Sequence, residues 1–145
     1  MMRVFFRTLA VVRRIKRLLS SKNFPEAVKI IKDRCGDFSF ASRHDYETFI
    51  GNHGFILIFN RASRKQPCLF LTLIALANVT LFDGNACVNI GLSFGESDVT
   101  DGHCWLTVNG KALFEESGET EFYDKLSEND GIVYWMRRSS VEYKN

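Results

Sequence analysis

The sequence predicts an α+β domain, helices first and an antiparallel sheet after them. Three observations predict it. Residues 2–20 place apolar side chains at helical spacing, with arginines between. From Cys68, CLFLTLIALANVTLFDG is almost wholly apolar for 15 residues, a length that suits a buried helix better than a strand. Beyond residue 85 the pattern turns to alternation, with Asn109-Gly110 at a hairpin tip. Helices and strands are segregated along the chain, so a central helix packed on a meander is expected. The 145 residues fit one domain with one core. Only two prolines and no low-complexity run or internal repeat occur, so long disorder is not expected.

The first helix is carried by Val4, Phe5, Leu9, Val12, Ile15, Leu18 and Leu19. SSKNFPEAVKIIKDRCG predicts a second, with Pro25 in its first turn and Gly36 as its stop. A third covers residues 44–60, against the cost of Gly51 and Gly54. RASRKQP is expected to be a polar loop. The buried helix follows, with Gly84 just past its C-terminus. ACVNIGLSF and HCWLTVNGKALFE supply strands, EFYDKLSEND a short helical turn, and GIVYWMRRS a last strand.

Net charge is +2, but it is unevenly spread. Residues 1–34 hold ten Lys/Arg and two Asp/Glu, residues 35–145 nine and fifteen. Two arrangements fit a basic segment ahead of an acidic body. The halves pack together, or the segment is an arm that meets an acidic partner, a peptide or a membrane surface. Nucleic acid is not expected, because no aromatic–basic interleaving or binding motif accompanies the segment. A signal peptide is not expected either. Arg7 interrupts the first apolar stretch, Arg13, Arg14, Lys16 and Arg17 follow it, and no small-residue cleavage site comes next. No segment has the roughly 20 uninterrupted apolar residues of a membrane span. A cytoplasmic location and no transmembrane segment are therefore expected. Cys35, Cys68, Cys87 and Cys104 are spaced by 33, 19 and 17 with no CxxC pair, against a zinc knuckle or thioredoxin-type site. Without an export signal they are expected as reduced thiols.

Cys68 falls in the first turn of the predicted buried helix. Free N–H groups and the helix dipole stabilise a thiolate there, and the Cys68 N–H suits an oxyanion hole. Cysteine is also a common core residue. Cys35, Cys87 and Cys104 are expected in that role, the last two because they sit in apolar alternation. A nucleophilic cysteine needs a base. His44 and His53 lie in the third helix, where surface or packing roles suffice. His103 opens a strand, a firmer platform for a catalytic group.

The hairpin register bears on the third partner. A two-residue turn pairs Val108 with Lys111 and sets His103 opposite Glu116; its Cys104 face then includes Lys111 and Glu115. A three-residue loop pairs Thr107 with Lys111 and His103 with Glu115, and gathers Cys104, Leu106, Ala112 and Phe114 on one apolar face. A one-residue slip flips every side chain, so burial is expected to select the three-residue loop. Glu115 would then accept the His103 N–H and fix its tautomer.

These residues resemble a known family. Cys68-Leu69 opens an apolar helix, and Gly84, Asn89-Ile90-Gly91-Leu92, His103-x-Trp105, Val108-x-Gly110 and Glu115 follow in order. The pattern is similar to that of the transglutaminase-like leader peptidases of lasso peptide biosynthesis, and the match spans about residues 68–116. The resemblance implies a papain/transglutaminase-like fold over residues 41–145; charge and apolar spacing, not the resemblance, give residues 1–40 as a basic helical arm. It implies a triad of Cys68, His103 and Glu115, with no cofactor and no metal. It also implies removal of the leader from a ribosomally made precursor peptide before a separate ATP-dependent cyclase closes the ring. Many family members rely on a small leader-recognition domain. The first 60 residues here look helical and unlike it, so a separate recognition protein is expected. The basic segment has three candidate docks: that protein, the precursor and the cyclase. There are departures. Cys104 replaces a small residue and should point away from His103 into the apolar face. Phe114 stands where Asn is frequent, the acid is Glu rather than Asp, and Asn78-Val79-Thr80 replaces basic residues. Two rivals remain: a transglutaminase-like acyltransferase or amidase with another substrate, and a non-catalytic binding domain of the same fold.

Overall fold

The computed structural model describes residues 1–94, 99–114 and 124–125, and for residues 92–94, 99–101 and 124–125 the backbone alone. Helix α1 spans Met2–Ser21 and buries Val4, Thr8, Val11, Val12 and Ile15. Phe5 and Leu9, expected in that stripe, flank it half-buried. Thr8 fits an apolar stripe because its hydroxyl donates to the Val4 carbonyl one turn back, at 2.8 Å. Helix α2 spans Phe24–Asp33; the Asn23 side chain caps it by accepting the Glu26 N–H at 3.0 Å, and Pro25 lies in the first turn.

Gly36 does not stop α2, as the sequence suggested. The helix ends at Asp33, and Gly36 lies inside a one-turn helix α3, Cys35–Phe38. The carbonyls around the end of α3 are satisfied from α1. Arg7 donates to the Ser39 carbonyl through Nε at 2.8 Å and Nη2 at 2.6 Å, and Arg14 Nη1 donates to the Asp37 carbonyl at 2.6 Å. Burial, then the neighbouring charge of Arg14, lowers the Arg7 pKa from its ordinary value, and Asp37 opposes the shift. The basic segment is thus packed on the body, and two of its cations bond backbone carbonyls there, Arg7 part-buried and Arg14 exposed.

Helix α4 spans Arg43–Leu57, with the Ser42 hydroxyl accepting the Asp45 N–H at 3.1 Å. It forms despite Gly51 and Gly54 because Phe49, Ile56 and Leu57 are buried on its inner side. The expected polar loop at RASRKQP is instead a short helix, α5, Arg61–Lys65. Asn60 Oδ1 accepts the Ala62 N–H at 2.9 Å, and the Ser63 hydroxyl donates to the Leu57 carbonyl at 2.7 Å. Those local bonds hold the turn without any apolar periodicity, so its composition conceals it.

Helix α6, Pro67–Phe82, is the centre of the fold, and every other helix and both long strands pack against it. Leu69, Phe70, Leu73, Ile74 and Leu76 are completely or almost completely buried. Each such side chain contributes about 1.5–3 kcal/mol relative to exposure. The Asp83 and Gly84 N–H groups both bond to the Val79 carbonyl at 2.8 Å, and Gly84 turns the chain out at φ +104°.

The sheet is antiparallel, in the order β3-β2-β1-β4. Its strands are β1 Ala86–Phe94, β2 Val99–Val108, β3 Lys111–Ala112 and β4 Asp124–Lys125. β1 to β3 form the expected meander. The helical turn expected at EFYDKLSEND is corrected at 124–125, which pair with β1 as Gly91↔Lys125 and Leu92↔Asp124. Two residues of strand carry no readable alternation; pairing with β1 defines them. The last expected strand, 131–139, lies outside the described residues. Ile90, Cys104 and Leu106 join the same buried cluster as α6. Among the described residues no helix is long and apolar enough to cross a membrane.

Asn78 places a side-chain amide within this apolar centre. Asn78 is fully buried; its Nδ2 donates to the Ile74 carbonyl at 2.7 Å and its Oδ1 accepts the Phe40 N–H at 3.0 Å. Asn78→Ala removes that acceptor and is expected to cost about 1–3 kcal/mol in urea unfolding; a change of a few tenths would show that the Phe40 N–H finds another partner. Gly51 has nothing within 4 Å of where a Cβ would stand. Gly51→Ala is expected to stabilise by about 0.5–1 kcal/mol, and a fall in the urea midpoint would show that glycine is required there.

Candidate active site

Cys68 lies in the first turn of α6, directly after Pro67, half-buried and packed against the core. The Gln66 side chain makes no capping bond to the helix. The N–H groups of Cys68 and Leu69 precede the first intrahelical acceptors, so they point out of the helix start.

Three residues, 83–85, join α6 to β1. The end of α6 therefore meets the start of β1, and the start of α6 comes to the other end of the sheet. β2 begins there with Val99; His103, expected to open the strand, is instead its fifth residue of ten and pairs with Gly91. A hydrogen bond fastens α6 to β2: the Thr72 hydroxyl donates to the Cys104 carbonyl at 3.0 Å. Cys68 stands one turn before Thr72 on the same stripe, and His103 adjoins Cys104 in the chain.

Alternation along β2 divides its side chains between two faces. Cys104 and Leu106 go to the α6 face, each 1% exposed, so Cys104 does enter the apolar layer. His103 and Trp105 go to the opposite face, where their rings stack 5.7 Å apart at 18°. Trp105 is nearly buried and His103 half-buried. Gly91 faces His103 across the ladder and sets no side chain against the imidazole. On the same face Asn89 is buried and its Nδ2 donates to Thr107 Oγ1 at 3.1 Å. Cys68 thus stands at the start of α6 and His103 midway along β2, and strand alternation turns the imidazole away from the face on which α6 packs.

The hairpin register differs from the expected one. Val108 pairs with Lys111 and Thr107 with Ala112, a two-residue turn, and the Leu113 N–H donates to the Leu106 carbonyl at 2.8 Å. Asn109 at φ +50° and Gly110 at φ +77° both take the positive angles of a type I′ turn, whose twist matches the strands. Lys111 at the tip is exposed, so its charge on the Cys104 face costs little. Leu113 packs against the core, whereas Phe114 is exposed. Phe114 also has φ +64°, an uncommon angle for a non-glycine residue. The three-residue loop and the His103–Glu115 pairing built on it are withdrawn. Glu115 and Glu116 lie outside the described residues, and only the family resemblance separates them.

The other histidines have local partners or lie in solvent. His53 Nδ1 is 2.7 Å from the Ile50 carbonyl, which can only accept, so Nδ1 carries the proton. His44 is exposed on α4. Among the described residues no cysteines are joined by a disulfide, and no group of three His, Cys, Asp or Glu could hold a metal ion. Two neighbours of Cys68 were absent from the candidates drawn from sequence. Gln66 is 3% exposed, and a side-chain amide is a common oxyanion donor. Thr72 fastens the helix to β2. Each carries a signal in retrospect, a polar residue inside or next to an apolar run. Comparisons of the chain with protein-family models, curated proteins and solved structures return no match.

The register has a direct check. In the observed pairing Thr107 and Ala112 form the close, non-hydrogen-bonded pair, so a nuclear Overhauser contact between their Hα protons is expected. A Leu106–Ala112 contact in its place would restore the three-residue loop.

Proposed function

We propose that the chain is a cysteine peptidase of the transglutaminase-like kind that removes the leader from a lasso peptide precursor. Cys68 is its nucleophile, His103 its base and Glu115 the acid that orients the imidazole. The observation that carries this is the ordered set Cys68-Leu69, Gly84, Ile90-Gly91, His103-x-Trp105, Gly110 and Glu115. The position of Cys68 in the first turn of a helix supports it, as does the Thr72–Cys104 bond that joins this helix to the strand carrying His103.

In this chemistry His103 takes the proton of the Cys68 thiol and the sulfur attacks the carbonyl at the leader–core junction. The first-turn N–H groups of α6, with the Gln66 amide beside them, stabilise the oxyanion. His103 then protonates the departing amine of the core peptide. Water hydrolyses the thioester, which frees the leader carboxylate and returns the thiol. Trp105 would hold the imidazole plane, and Gly91 would leave room over it. A separate recognition protein would bring the precursor to Cys68, and the cyclase would take the freed core.

A second assignment, a non-catalytic binding domain, is favoured by one observation: the alternation that sends His103 and Trp105 to the face opposite α6. Precursor cleavage by the purified chain with its recognition protein separates the two. Cys68→Ala and His103→Ala are each expected to lower the cleavage rate by at least about 10³-fold. Cleavage that survives Cys68→Ala would end the peptidase assignment. Glu115→Gln is expected to lower the rate while Glu116→Gln leaves it close to wild type. The reverse pattern would move the acid to Glu116.

A further inference from the structure

The outer surface where α1, the end of α4 and α5 meet has a role that the peptidase proposal does not use. Met2, Phe6, Phe55, Ile58 and Phe59 are each at least half exposed, between 51% and 73%. They are contiguous. Phe55 packs edge-to-face on Phe59 at 5.0 Å, Phe59 on Phe5 at 5.2 Å, and Phe5 on Phe6 at 5.6 Å. Soluble domains seldom leave such a cluster in water without a use for it.

The charge around it is predominantly positive; Asp45 and Glu47, in the first half of α4, are each paired with an arginine. Residues 1–25 and 48–82 contain no Asp or Glu and ten Lys/Arg. These two segments build the surface, since α1 packs on both α4 and α5. Arg7 and Arg14 are engaged with backbone carbonyls of the α3 region, and Arg3 pairs with Asp45 at 3.1 Å. Arg13, Lys16, Arg17, Arg61, Arg64 and Lys65 remain exposed. Met2, Phe6, Arg13 and Arg17 recur at helical spacing on one stripe of α1, apolar at its start and basic along its second half. The stripe points away from the buried Val4, Val11 and Ile15.

We propose that this face binds peripherally to an anionic lipid surface, with the phenylalanines and Met2 entering the headgroup–acyl boundary and the six cations meeting lipid phosphates and carboxylates. The five apolar side chains are each more than half exposed, which suits insertion into a lipid surface. Single-stranded nucleic acid stacks on aromatic faces. Here three ring pairs are already edge-to-face, and Met2 and Ile58 offer no ring. The lipid proposal does not rest on the peptidase proposal, and either stands if the other fails.

The test is co-sedimentation of the full chain with vesicles of phosphatidylcholine alone, or of phosphatidylcholine with about one third phosphatidylserine. Partition to the anionic vesicles is expected to be at least about tenfold stronger and to weaken with salt. Phe6→Ser/Phe55→Ser keeps every charge and is expected to lower that partition about tenfold. Arg13→Glu/Arg17→Glu keeps the apolar knob and is expected to remove the preference for anionic vesicles; Arg64→Glu/Lys65→Glu repeats this on α5. Far-UV circular dichroism verifies that each variant is folded. Equal partition of the wild-type chain to both vesicle types, or to neither, overturns the proposal. So does unchanged vesicle binding by the folded phenylalanine variant, or equally tight binding of wild-type chain to single-stranded DNA or an acidic peptide that the phenylalanine variant retains.

Discussion

Helix α6 is apolar around its whole circumference, so each of its faces has to be covered. A helix with one polar face needs a single packing partner; one with none needs a layer on every side. The remaining helices and the sheet meet that demand. Leu69, Phe70, Leu73, Ile74 and Leu76 are buried as a result. Asn78 is tolerated at the centre because both ends of its amide are bonded, one to its own helix and one to the Phe40 N–H. The basic first segment is drawn into the same layer, where Arg7 and Arg14 bond carbonyls around the end of α3.

That constraint also sets the candidate site. The first turn is where α6 approaches the surface, so Cys68 is half-buried while Leu69 and Phe70 are not exposed. The Thr72 bond to Cys104 fastens the helix to β2, the strand that carries His103. The same packing requires Cys104 and Leu106 to face α6, which sends His103 and Trp105 to the other side. Catalysis by this pair therefore requires the imidazole to reach Cys68 from the opposite face of β2.

What was legible in the sequence follows from the range of the forces involved. Helices α1, α2, α4 and α6 and strands β1 and β2 are long enough for periodicity to mark them. Helix α5 has no apolar period and is held by Asn60 and Ser63, bonds that composition does not advertise. Strand β4 is two residues defined by pairing with β1. The hairpin register went against the expectation because an apolar row was weighed above turn twist. Asn109 and Gly110 favour the type I′ turn, and Lys111 at the tip reaches water without cost. Cys68 at a helix start was legible from Pro67-Cys68, and the opposite facing of His103 and Cys104 from alternation. The relation of Cys68 to His103 was not, because it depends on how α6 lies across the sheet. The internal use of Arg7 and Arg14 was equally hidden, since their carbonyl partners lie more than 20 residues away.

The central claim is that Cys68 is a nucleophile rather than a core thiol that happens to stand at a helix start. Mass-spectrometric alkylation rates in the native protein at neutral pH test it directly, with the exposed Cys87 as an internal standard. If the first turn of α6 and a histidine base activate Cys68, iodoacetamide will modify it at least about tenfold faster than Cys87, although Cys68 is the less exposed of the two. Alkylation of Cys68 at or below the rate of Cys87 would contradict the claim.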